Sequence, residues 1–94
     1  MRIVIASFAT VKAVLGARSF DLDVPDHSTV RDVMAILLDR FGKPLADEMY
    51  DSPGCLKENY LLMVNGQTVR FLNGMETVMG EGDELLIFSP VCGG

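Results

Sequence analysis

The chain has 94 residues, about half of them apolar, and a formal net charge of −5. That is enough for one domain with one modest core, and too apolar for a disordered segment. No basic run stands out, which argues against a nucleic-acid groove; an acidic chain is instead expected to suit a partner with a basic docking surface.

Arg2 to Phe8 is rich in Ile and Val and predicts a buried strand. Ala9 to Gly16 is expected to be a connection, with Val11, Val14 and Leu15 capping one edge of the core. From Arg18 to Val24 the pattern alternates, Phe20, Leu22 and Val24 against Ser19, Asp21 and Asp23. A period of two marks a strand with one wet face, and the two strands are expected to pair antiparallel. Pro25 stops the sheet. Thr29-Val30-Arg31-Asp32 matches the capping box that opens a helix. Val30, Val33, Met34, Leu37, Leu38 and Phe41 follow at helical spacing, and Gly42 and Pro44 supply the stop. Lys43 to Asn59 is expected to be irregular, with at most a short helical turn from Ala46 to Tyr50.

Tyr60 to Val64 and Gln67 to Leu72 predict two strands, because Asn65-Gly66 between β-rich runs is a strong hairpin signal. Asn73-Gly74 and Gly80-Glu81-Gly82-Asp83 mark turns. Glu84 to Phe88 is the last strand, and Pro90 releases the chain from the sheet. Its apolar run, Leu85-Leu86-Ile87-Phe88, suits burial on both faces at the sheet centre, parallel to the first strand. The fold class expected is α+β: a mixed sheet wrapped over one main helix, a roll of the β-grasp type. Residues 1–94 make one domain, with residues 89–94 as a flexible C-terminal tail.

The candidate reagent lies in that tail. Gly93 and Gly94 have no side chains to add to a core, and such an end frays. The pair makes sense if the terminal carboxylate reacts, since two glycines thread a narrow channel at any backbone angle. Other reactive side chains are sparse. Cys55 and Cys92 are too few for a disulfide framework or a four-thiolate cluster, and with the single His27 they fall short of a zinc site, so no metal is expected. Cys55 fits an ordinary loop or core thiol. His27, between Asp26 and Ser28 at a helix entrance, fits a solvated position better than a catalytic one. The N-terminus is too short for a signal peptide and no apolar run is long enough to span a bilayer. The expected compartment is the cytoplasm, with both thiols reduced and no membrane partner.

Phe8-Ala9, the helix after a proline, Val64-Asn65-Gly66, Gly82-Asp83-Glu84, Phe88-x-Pro90-Val91 and Gly93-Gly94 together resemble the small subunit of molybdopterin synthase, one of the ubiquitin-like β-grasp sulfur carriers. The resemblance covers essentially the whole chain. It departs at Ser89, where that family commonly has a second proline, and at Cys92, where it commonly has a small residue such as Ser, Thr or Ala. The stretch around Asp51-Ser52-Pro53-Gly54 also makes the chain somewhat long for that subunit.

The resemblance implies a cycle. An E1-like activating enzyme uses ATP to adenylate the Gly94 carboxylate. A sulfur donor, such as a cysteine desulfurase or rhodanese system, displaces AMP and leaves a thiocarboxylate. The sulfur then attacks a pterin precursor in the large subunit, towards the dithiolene that holds molybdenum or tungsten. It also implies that Phe8, Lys12, Phe88, Pro90 and Val91 meet the partners, and that the chain itself holds no cofactor stably and is not catalytic alone. From the residues alone, Phe8 and Phe88 fit either core positions or an apolar docking patch. A tail of five residues from Pro90 reaches at most about 17 Å. Cys92 fits a small spacer, with no neighbour in sequence to lower its thiol pKa. Alternatives in the same chemistry are carriers for thiamine, cysteine or tRNA thiolation; the alternative in another class is a ubiquitin-like modifier joined to lysines through Gly94.

Overall fold

The computed structural model describes residues 1–52 and 55–88; the side chains of Ala9 and Thr10 lie outside this description. The expected segment 89–94 also lies outside it. Strands β1 (Arg2–Ser7) and β2 (Ser19–Asp23) pair antiparallel, with Ile3 opposite Leu22 and Ile5 opposite Phe20. The connection between them is helical, and Val11 and Leu15 cap the core as expected. Ala9–Leu15 forms helix α1, and Gly16 closes it at φ 83° with its N–H on the Lys12 carbonyl. A left-handed closing residue is where glycine is favoured, because it has no Cβ to clash.

The main helix α2 (Val30–Phe41) opens as its sequence predicts. The Thr29 hydroxyl accepts from Asp32 N–H at 3.1 Å, and Asp32 accepts from Thr29 N–H at 3.0 Å. Val30, Val33, Met34 and Leu37 are buried, while Leu38 and Phe41 pack half-buried against the same core. Gly42 ends the helix, but the chain does not become irregular after it. Pro44 lies in the first turn of helix α3 (Lys43–Met49), where a missing N–H costs nothing, so it starts a helix instead of only stopping one. Leu45 and Met49, four apart, are fully buried and hold α3 in place. A small antiparallel pair, β3 (Tyr50–Ser52) and β4 (Cys55–Leu56), follows.

Strand β5 (Leu61–Val64) turns through Asn65-Gly66 into β6, which is only Gln67–Thr68. The expected strand to Leu72 gives way to a single 3-10 turn over Val69–Phe71, closed by Leu72 N–H on Val69 C=O at 3.0 Å. A second such turn spans Gly74–Glu76. The last strand, β7 (Glu84–Phe88), runs parallel to β1 and antiparallel to β5. The five-stranded order is β2-β1-β7-β5-β6, so β7 is central as expected. This is a β-grasp sheet over a helix.

One face of the sheet is dry. Ile3, Ile5, Leu22, Leu62, Val64, Leu85 and Ile87 meet α2, together with Val11 and Leu15 of α1 and Leu45 and Met49 of α3. Each such side chain stabilises the fold by roughly 1.5–3 kcal/mol on full burial. The other face differs from expectation. Leu86 and Phe88 alternate with the fully buried Leu85 and Ile87 and are only half-buried, so the central strand is sealed on one side alone.

Candidate functional site: the sheet end at the root of the tail

The parallel register of β1 and β7 builds this site. Ser7 lies opposite Ile87, so the next residues, Phe8 and Phe88, leave the sheet at the same end. Segment 89–94 continues from Phe88. Leu61 lies opposite Phe88 on its other side. Phe8 keeps extended backbone (φ −135°, ψ 165°) as the residue that precedes α1, and so continues the alternation of Val4 and Ala6. It is 40% exposed, which is unusual for a phenylalanine beside a core.

The open face is apolar beyond Phe8. Val4, Ala6, Leu61, Met63, Leu86 and Phe88 share it by strand alternation and register, and all are half-buried. None of them packs into the core cluster. Asp21, Asp23 and Glu84 are exposed at its margin. A contiguous apolar patch rimmed by polar groups is the form of a protein-docking surface. Phe8 and Phe88 therefore belong to a surface patch, and not to the core proper.

One cation stands over Phe8, and the residue of a second, Lys12, is tied to it through the backbone. Lys12, one turn along α1, is exposed, and its N–H lies 3.4 Å from the Phe8 carbonyl. The Arg18 guanidinium carbon lies 5.2 Å from the centre of the Phe8 ring. Arg18 is missing from the sequence-based site. Its position ten residues on follows from the length of α1, which the sequence did not reveal. The backbone there is pinned: Ser7 N–H donates to Arg18 C=O at 2.8 Å, and the buried Ser7 hydroxyl donates to Ala17 C=O at 3.2 Å.

Of the expected site residues, Phe8, Lys12 and Phe88 come together at this end. Pro90, Val91, Gly93 and Gly94 lie outside the described residues, as do Ser89 and Cys92. Among the described residues no group of His, Cys, Asp and Glu is placed to hold a metal ion, and no helix is long and apolar enough to cross a membrane. Cys55 is an exposed free thiol, and His27 is exposed at φ 67°.

The model of the ThiS family matches residues 3–94. The chain belongs to the ThiS family. It is thus a ubiquitin-like sulfur-carrier protein, and such small carriers are not themselves catalytic. Small archaeal modifier protein 3 of Haloferax volcanii is 34% identical over 94 residues, covering 100% of both chains. The crystal structure of SAMP1 from the same organism matches with a TM-score of 0.83 at 26% identity, again over 100% of both chains. A chain in the BexX/CysO complex of Amycolatopsis orientalis matches at TM-score 0.77 over 98% of this chain and 99% of that one, at 22% identity. The last likeness shows the fold alone. ThiS-family carriers work with partner enzymes.

Proposed function

We propose that this chain acts through the carboxylate of Gly94, which an E1-like enzyme adenylates with ATP and a sulfur donor such as a cysteine desulfurase or rhodanese system converts to a thiocarboxylate. A carboxylate is a poor electrophile, and the acyl-adenylate gives it a good leaving group. The sulfur that replaces AMP is a softer nucleophile that ionises readily. In the finer reading the chain is the small subunit of a molybdopterin synthase and its sulfur attacks a pterin precursor inside the large subunit. The chain then supplies delivery and effective concentration, with no general acid, base, metal or resident cofactor of its own. It would work in the cytoplasm, where ATP is available.

The observation that carries this reading is the β1–β7 register. It sets an exposed aromatic, a half-buried aromatic and an open apolar face around the residue that precedes the tail. A partner that grips this face receives the tail beside it.

A second reading is favoured by the name of the Haloferax relative, a small archaeal modifier. Adenylation is shared, but Gly94 is then joined to lysines of target proteins. Incubation with the adenylating enzyme, ATP and a sulfur donor separates the two. Sulfur delivery predicts a mass gain equal to exchange of one oxygen for sulfur at Gly94, followed by dithiolene formation with the large subunit. Modification predicts glycine remnants of this chain on target lysines. A chain extended by one residue beyond Gly94 should fold normally and lose both activities; full activity of that extended chain would refute the reading.

A further inference from the structure

The net charge of −5 suggests a basic partner, yet the charge at the tail root has the opposite sign. From Ser7 to Phe20 the sequence contains no Asp or Glu, and it contains Lys12 and Arg18. Arg2, Arg31 and Lys43 are committed to Asp23, Glu76 and Asp47. No ion pair among the described residues involves Lys12 or Arg18. On α3, Asp47 pairs with Lys43 and Glu48 accepts from the Tyr60 hydroxyl, and Glu84 lies at the far end of β7, opposite Val4. Asp21 lies opposite Val4, back along the sheet from this end.

We propose that Lys12 and Arg18 form a cationic collar around Phe8 that docks against carboxylates rimming an apolar socket on the adenylating partner. This deepens the proposed function and rests on it. Charge decides contacts locally, because salt screens the rest of the surface beyond about 10 Å at 0.1 M. Arg18 has two tasks in this scheme. Its guanidinium lies over the Phe8 ring, which limits the ring's freedom before docking and lowers the entropy lost on binding. Its N–H groups stay available for a bidentate carboxylate, a geometry an ammonium cannot match. The carbonyls of Ala17 and Arg18, both bonded by Ser7, fix the base from which the side chain reaches. Arg18 is a positioning residue for Phe8 and a contact residue for the partner.

The test is ATP–pyrophosphate exchange with the adenylating enzyme of the same genome, with this chain as the varied substrate. Lys12→Glu with Arg18→Glu should raise KM by about tenfold or more and leave kcat unchanged. The wild-type KM should rise with salt, and that dependence should flatten in the double variant. Arg18→Lys should keep only part of the affinity, because an ammonium retains the charge but cannot make the bidentate contact, and Arg18→Leu should fall between Arg18→Lys and Arg18→Glu. Thermal unfolding of each variant establishes that it is folded. A folded double variant with wild-type KM and salt dependence overturns the collar and leaves the carrier reading standing. Equal losses for Arg18→Leu and Arg18→Glu, with no salt dependence, overturn it as well. Absence of exchange with the wild-type chain overturns both.

Discussion

Asn65 holds Asp83 across the sheet end opposite the tail. Its side-chain amide donates to Asp83 Oδ1 at 2.9 Å, while its Oδ1 accepts from Glu84 N–H at 2.9 Å. Asp83 in turn caps the preceding turn, accepting from Gly80 N–H at 2.7 Å. Asn65 sits at φ 50°, a left-handed position that asparagine tolerates better than most residues. One residue therefore makes the β5–β6 turn and anchors the start of the central strand. Asn65→Ala should destabilise the fold by about 1–2 kcal/mol, and Asn65→Gly by less, because glycine keeps the turn and loses only the bonds. Urea unfolding of the two variants measures both terms. Equal stability of Asn65→Ala and wild type would show that the clip contributes nothing.

Helix α3 is held by burial. Leu45 is fully buried beside α1 and α2, so Leu45→Ala removes apolar contacts and leaves a cavity. A loss of about 2–4 kcal/mol is expected in chemical denaturation. A loss below about 1 kcal/mol would mean that the segment packs loosely on the core.

Phe8→Asp should separate docking from folding. Phe8 is exposed, and it precedes the first turn of α1 without a side-chain cap. Aspartate is a favoured residue at such a position, so Phe8→Asp should keep or improve the helix. Each partner complex should weaken by about 2 kcal/mol or more. Titration calorimetry against the proposed activating enzyme and the proposed large subunit checks this. Unchanged affinity for both would remove Phe8 from the docking surface.

Tyr50 should make the fold sensitive to alkali. Burial raises its phenol above the ordinary value of 10.0, and Arg31 opposes that shift without cancelling it. The folded chain therefore holds the phenolic proton more tightly than the unfolded chain. This contribution to stability is complete below about pH 10 and is lost as pH rises through the higher folded value. Urea midpoints from about pH 9 to pH 11 should fall less steeply for Tyr50→Phe than for wild type. Parallel profiles would assign the alkaline loss to other groups.

Much of the fold is determined locally. The Thr29–Asp32 capping box, the helical stripe from Val30 to Phe41 and the Asn65-Gly66 turn each carry their own geometry, so sequence alone placed them. The Ile- and Val-rich β1 and the apolar β7 follow from period and composition, and β7 is central as expected although only one of its faces is sealed. Gly93-Gly94 marked the proposed reagent because two residues without side chains have no use in a core.

What depended on tertiary structure is what local propensity leaves undecided. Ala9–Leu15 is too short and too rich in β-branched residues to form a helix alone; burying Val11 and Leu15 against the sheet makes it one. The same holds for α3 through Leu45 and Met49. Gln67 to Leu72 has strand-like composition, yet the chain leaves β5 after Thr68 and coils into a 3-10 turn with Phe71 85% exposed. The docking patch was equally hidden. Leu86 and Phe88 look the same in sequence as the buried Leu85 and Ile87, and only the placement of all three helices on one side of the sheet leaves them open. Arg18 meets Phe8 only because α1 folds the chain back on itself. Sequence by itself determined the elements with strong local signals; the faces those elements present, and hence the apolar patch left open, were decided by packing, since burial is a property of neighbours distant along the chain.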